Sequence, residues 1–190
     1  MVKGGDPSAA GVTYGLRTVV TRYSGIFDFE GLQRIMVQWL KARRFWFHES
    51  TYKHKPGTEF GREEEMYWIA QRNVDSYVQY NIEIYFHLFD INMVEVIQDG
   101  EKKKLTKARM EIWFSGRVVF DYQGHWDKSK FHRILRGIYN KYVLVPEGVL
   151  SSIYWDELYY RMLKLRDLAK DYLNMKTKGY EYRRYLRDNI

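Results

Sequence analysis

An alternation of apolar and polar side chains over residues 76–88 constrains the fold more than any other feature of this sequence. The apolar positions are Val78, Tyr80, Ile82, Ile84, Phe86 and Leu88. The intervening positions are Tyr77, Gln79, Asn81, Glu83, Tyr85 and His87. Successive side chains of a β-strand point to opposite faces, so this pattern predicts a long strand with one dry face and one amphipathic face.

Further strand patterns lie on both sides of this segment. β-Branched and aromatic residues predict strands at 13–23, 45–54, 63–74, 94–97, 105–114 and 117–122. Asp99-Gly100 indicates a hairpin turn because glycine tolerates a positive φ, and Ser115-Gly116 is interpreted as a second tight turn. Short connections of this kind predict an antiparallel meander.

Three helices are predicted around these strands. Asp28 is a good N-cap for a helix over 28–43, whose apolar residues recur at helical spacing. A second helix over 129–142 carries five apolar residues on one face, and a third runs from Ser151 or Ser152 to about residue 174. The five are Phe131, Ile134, Leu135, Ile138 and Tyr142. At 1.5 Å per residue the third helix would be roughly 36 Å long, enough to cross a sheet.

The element order predicts one α+β domain over 13–174, with an antiparallel sheet of six to seven strands. Helices pack on one face of that sheet, including the early helix and the long C-terminal helix. In element order this arrangement resembles the helix-grip fold of START and polyketide-cyclase-like proteins. The resemblance implies a curved sheet around the last helix and an apolar pocket between them. Residues 1–12 and 175–190 are expected to be tails, the second basic and tyrosine-rich.

Composition excludes several classes of protein. The 190-residue chain has no cysteine, which excludes a disulfide framework and thiol-ligated metals. Its longest run without charged residues, 7–16, is far too short for a membrane span. The first residues lack the apolar segment of a secretory signal, so a cytoplasmic location is expected. The 31 Lys and Arg exceed the 24 Asp and Glu, giving a net charge of +7.

Catalytic and cofactor signatures are absent from the sequence. The five histidines have no H-x-x-x-H spacing, and no phosphate-binding glycine motif occurs. Glu83, Glu95 and Glu111 fall on neighbouring predicted strands, where an ion-pair ladder with groups such as Arg109 is the ordinary interpretation. We therefore expect a binding protein, not an enzyme, without a metal or cofactor.

Three functional hypotheses remain open. The first is an apolar small-molecule pocket between the sheet and the last helix. Its expected lining is Tyr80, Ile82, Ile84, Phe86, Trp113 or Phe114, Met162 and Leu165. The inward-facing member of the pair 113–114 is not fixed by the pattern.

The second hypothesis is binding of RNA or another polyanion through a basic hairpin tip and the C-terminal tail. The residues concerned are Lys102, Lys103, Lys104, Lys107 and Arg109, with Arg183, Arg184 and Arg187. Tyrosines between the tail arginines could stack on bases. The third hypothesis is a structural or assembly subunit, such as a homo-oligomer, whose copies or partners meet at an aromatic face of the sheet.

Overall fold

The alternating segment forms the centre of an antiparallel sheet. The computed structural model describes residues 13–58, 61–98, 101–127, 129–139, 141–142 and 153–175. The strands are β1 Thr13–Gly15, β2 Val19–Phe27, β3 Trp46–Thr58, β4 Gly61–Asn73, β5 Val78–Gln98 and β6 Glu101–Phe120. The helices are α1 Phe29–Ala42, α2 Lys130–Tyr139 and α3 Asp156–Tyr172, with a 3₁₀ turn at His125–Asp127. The predicted α+β class is confirmed.

The sheet order is β1-β6-β5-β4-β3, and β2 lies beside β1 on the same edge of β6. Strands β3 to β6 follow one another as the predicted meander. The first strands of the chain close the sheet against the last one, with Thr21 opposite Ile112. Six strands are present among the described residues, within the predicted range.

One face of the sheet is covered by α1 and α3. The inward residues of β5, which include Ile82, Ile84 and Phe86, are fully buried. The buried apolar side chains of α1 and α3 are Leu32, Met36, Leu40, Leu158, Met162, Leu165 and Ala169. Apolar side chains on one stripe of each helix therefore form the core with the dry face of the sheet. The predicted packing of the early and C-terminal helices is confirmed.

The predicted turn at Ser115-Gly116 is wrong, because β6 continues through it with Gly116 opposite Ile82. The glycine has a packing role instead. A Cβ at Gly116 would lie 2.7 Å from Leu16 Cδ1, and the Gly116 carbonyl accepts a hydrogen bond from the Leu16 N–H at 2.7 Å. The predicted strand 13–23 is interrupted between β1 and β2, where Leu16 turns into the core.

β5 and β6 together form a hairpin far longer than predicted. A bulge lies between Phe89 and Asn92, and Asp90 there has a φ of 56°, so the strand continues instead of ending. The pairing of β5 with β4 reaches as far as Ile91, which lies opposite Arg62. The pairing of β6 with β2 reaches as far as Thr106, which lies opposite Phe27. We call residues 92–98 and 101–107 the arm, because over most of its length β5 and β6 pair only with each other in the described chain.

α2 presents its apolar side outward. Phe131 is 70% exposed and Ile134 is 63% exposed, whereas Arg136 is completely buried. Arg136 Nη1 donates to Asp121 Oδ2 at 2.9 Å. Ile134 lies two residues from Arg136, which is about 160° around the helix, so the buried ion pair turns the apolar side away from the sheet.

No helix in the described part of the chain is long and apolar enough to cross a membrane. Residues 1–12 and 176–190, which hold almost all of the two predicted tails, lie outside the described residues.

Candidate functional site

The face of the sheet opposite the helices carries a row of aromatic side chains. Trp113 pairs with Tyr85, which pairs with Tyr67 on the next strand. Their chain neighbours Phe114, Ile84 and Trp68 point the other way and are buried. The structure thus fixes the parity that the sequence left open, with Phe114 inward and Trp113 outward at 41% exposure.

The residues predicted to line a pocket are instead packed in the core. Seven of the eight are fully buried members of the core cluster, namely Tyr80, Ile82, Ile84, Phe86, Phe114, Met162 and Leu165. The eighth, Trp113, lies on the opposite face. Tyr80 Oη donates to Glu157 Oε2 at 2.8 Å, joining β5 to α3 across the predicted pocket position. The small-molecule pocket stays a prediction without a structural observation in its favour.

The basic residues of the arm divide between two faces. Lys103, Lys107 and Arg109 alternate with the same parity as Trp113, and therefore share the outer face of β6. Lys102 and Lys104 point to the opposite face. The four lysines are exposed, and Glu95 lies opposite Lys104. These cations are close together in the sequence, but the alternation of side chains along β6 places them on two faces.

Arg109 is held by two neighbours on β5. Its Nη2 lies 2.7 Å from Asp90 Oδ2, and its guanidinium lies 5.6 Å from the centroid of the Phe89 ring. These contacts fix the side chain over the bulge and place its charge on the outer face. The predicted tail cations Arg183, Arg184 and Arg187 lie outside the described residues.

A shallow groove follows β6 between the arm and the aromatic row. One depression of about 300 Å³ reaches from Arg109 to Glu111, and an adjacent one of about 330 Å³ reaches from Lys107 to Arg109. Ser24 and Arg109 line both of them. The two depressions connect the base of the arm with the position just before Trp113.

Ion pairs neutralise the acidic groups along the same face. Arg22 Nε donates to Glu111 Oε1 at 2.7 Å, and Arg117 pairs with Glu83. The Arg22 guanidinium, followed by the Trp113 indole N–H at 3.1 Å, lowers the pKa of Glu111. Glu83 and Glu111 are in ion pairs as predicted, but their partners are Arg117 and Arg22. Arg109, the partner named from the sequence, pairs with Asp90 instead.

A second charged cluster joins β3, β4 and β5. His87 Nε2 lies 2.5 Å from Glu63 Oε1, and Lys55 Nζ donates to Glu63 at 2.9 Å and to Glu65 at 2.7 Å. One ligand atom from each of Glu63, Glu65 and His87 falls within a 4.8 Å span, which a metal ion could bridge. The Lys55 ammonium already bridges both carboxylates, so a metal would have to displace it.

Comparison of the sequence with protein-family models and with curated proteins found no match.

Proposed function

We propose that this protein is a non-enzymatic binding protein that holds single-stranded RNA along the outer face of β6. The observation that carries the proposal is the alignment of Lys103, Lys107 and Arg109 with the exposed Trp113 on one side of one strand. The strand would thus present phosphate-binding cations and a base-stacking ring on a single path.

Each part of this path has a matching role in single-strand recognition. Lysine and arginine neutralise phosphates, while aromatic rings stack on unpaired bases without strong sequence preference. The row from Trp113 to Tyr67 spans three strands, or about 10 Å at the usual strand spacing, and offers more than one ring. A base leaving the groove beside Glu111 would reach Trp113 first.

Two acidic residues of this face near Trp113 are paired with arginines. Glu111 is paired with Arg22 and Glu83 with Arg117, so these two carboxylates near Trp113 are compensated. Further along the row, Glu63 and Glu65 lie near Tyr85 and share Lys55. The arm adds four exposed lysines, Lys102, Lys103, Lys104 and Lys107. This distribution supports a strand that enters over the arm and ends on the aromatic row.

The first experiment measures binding of a fluorescent 15-nucleotide oligouridine by anisotropy over a series of salt concentrations. Lys103→Gln/Lys107→Gln should weaken binding and reduce the slope of log K against log salt by about 1.4, or about 0.7 per lost contact. Lys102→Gln/Lys104→Gln is the matched control, with the same change of charge on the other face of the arm.

The second experiment tests stacking. Trp113→Ala should cost about 1–3 kcal/mol of RNA binding. The control is Trp46→Ala, which removes an exposed tryptophan from β3 at the far edge of the sheet. Heparin, a polyanion without bases, should bind the wild type and Trp113→Ala equally.

Two results would overturn the proposal. One is an absence of oligouridine binding at about 50 mM salt, where phosphate contacts are strong. The other is an equal effect of the two lysine pairs together with no effect of Trp113→Ala.

A further inference from the structure

A second cavity lies at the end of the β5–β6 hairpin opposite the arm, about 60 Å from the arm tip along the strand. Its volume is about 360 Å³. It is lined by side chains that include Tyr77, Trp126, Tyr139, Tyr154, Asp75 and His125. Four of these six side chains are aromatic, and they come from four separate parts of the chain.

Three of the rings stand close to one another at different angles. The centroid of Tyr77 lies 6.4 Å from Trp126 and 6.0 Å from Tyr139, with interplanar angles of 71° and 87°. Trp126 and Tyr139 are nearly parallel at 6.2 Å. Rings at such angles form walls on more than one side of a small volume.

The protein holds these walls in place. The backbone N–H of Trp126 donates to Asp121 Oδ2 at 3.3 Å. The same carboxylate binds buried Arg136 of α2, the helix that carries Tyr139. The Tyr77 N–H donates to Asp75 Oδ1 at 2.6 Å. The backbone at Trp126 and the helix that carries Tyr139 are therefore both joined to Asp121, and the backbone at Tyr77 is joined to Asp75.

The charges around the cavity favour a cation. Asp121 is compensated by Arg136, so Asp75 supplies the remaining formal negative charge among the described lining residues. Asp75 and Tyr154 both line the cavity, and burial, followed by the Asp75 carboxylate, raises the pKa of Tyr154. Among the lining residues that the structure describes, His125 is the one titratable side chain besides the two aspartates and the tyrosines.

We infer that this cavity binds a quaternary or methylated ammonium group, held by the faces of Tyr77, Trp126 and Tyr139 and by the charge of Asp75. Aromatic faces attract cations through the ring quadrupole, and a methylated ammonium loses little hydration when it enters such a site. A primary ammonium would lose more hydration and would need hydrogen-bond acceptors. The site is independent of the proposed RNA path, so either proposal can fail alone.

The test titrates the protein with tetramethylammonium and follows tryptophan fluorescence and amide NMR shifts. We expect saturable binding with a dissociation constant of about 1 mM or tighter. Neopentyl alcohol, which has a similar shape without the charge, should bind at least about 5-fold more weakly. Trimethyllysine amide and choline then distinguish a methylated side chain from a small molecule as the source.

Four variants assign the binding to this cavity. Tyr139→Leu and Trp126→Ala should each reduce affinity about 5- to 30-fold, whereas Trp126→Phe should retain most of it. Asp75→Asn removes the charge but keeps the oxygen that accepts the Tyr77 N–H. Tyr139 is partly exposed on α2, so its substitution leaves the core intact.

Equal affinity for tetramethylammonium and the neutral alcohol would overturn the inference. So would unchanged affinity in Tyr139→Leu and Asp75→Asn when their NMR spectra show the native fold.

Discussion

Tyr172 Oη donates a hydrogen bond to Asp28 Oδ2 at 3.1 Å and so joins the end of α3 to the start of α1. Asp28 is also the N-cap of α1, accepting from the Gly31 N–H at 2.9 Å. Burial, followed by the Asp28 carboxylate, raises the pKa of Tyr172. Asp28 therefore caps α1 with one carboxylate oxygen and, with the other, binds a residue 144 positions later in the chain.

Gly31→Ala should destabilise the protein by about 1–3 kcal/mol, although alanine is the better helix former. The new Cβ would lie 2.0 Å from Tyr172 Oη and 2.3 Å from Asp28 Oδ2. Urea denaturation measures the change. Gly15→Ala is the control, since its Cβ would meet nothing within 4 Å. Tyr172→Phe should relieve part of the cost of Gly31→Ala, and a gain of stability in Gly31→Ala alone would contradict the packing.

Arg136→Met should destabilise the protein by about 3–5 kcal/mol, because it leaves the buried Asp121 carboxylate without its cation. Urea denaturation gives the total, and hydrogen exchange shows whether α2 opens first. Arg133→Met changes an exposed arginine of the same helix and should cost about 0.5 kcal/mol or less. If the double variant Arg136→Met/Asp121→Asn shows simple additivity, the pair has no coupling and the explanation for the orientation of α2 fails.

Lys55→Met should raise the pKa of Glu65 toward its ordinary value of 4.5, because the hydrogen bond from Lys55 is the main cause of its lowered pKa. A carboxyl whose pKa is lowered by folding adds stability above pH 4.5, and this stability is lost as the pH falls through the folded pKa. The variant should therefore lose less stability on acidification. Carboxyl NMR titration measures the pKa directly. Lys53→Met, opposite Glu65 in register, is the control and should leave that pKa nearly unchanged.

Ile84→Ala should destabilise the protein by about 2–5 kcal/mol, as expected for a tightly packed core position. Thermal or urea unfolding measures it. Ile97→Ala, at an exposed position of the arm, should change stability by about 0.5 kcal/mol or less. A small loss of stability in Ile84→Ala, together with uptake of an apolar ligand by the wild type, would instead support the pocket hypothesis.

Local patterns were sufficient for some elements of the fold. Alternation over 76–88 predicted β5 because the two faces of this strand meet different surroundings. Asp28 was identified as a cap because an N-cap hydrogen bond joins residues that are close in the sequence. Ser115-Gly116 was misinterpreted as a turn, since the need for glycine there arises from Leu16, about 100 residues earlier.

The candidate site was less accessible to sequence reasoning. The basic cluster at 102–109 was found, but its division between two faces and the orientation of Trp113 depend on the strand that β6 actually forms. The partnership of His87 with Glu63 depends on the register of β4 against β5, which includes a bulge between Arg62 and Glu64. The cavity around Trp126 depends on residues from four separate segments, which no local pattern links.

The pairing of β2 with β6 also determines the order in which the chain can fold. Thr21 meets Ile112 about 90 residues later, so the edge of the sheet cannot close until β6 has been synthesised. At about 5–20 residues per second, a ribosome needs roughly 5 to 18 s to add that segment. β2 stays without its sheet partner for this interval, whereas α1 can form early from local contacts. Such long-range closure predicts a slow final step of folding, after the β3–β6 meander has assembled.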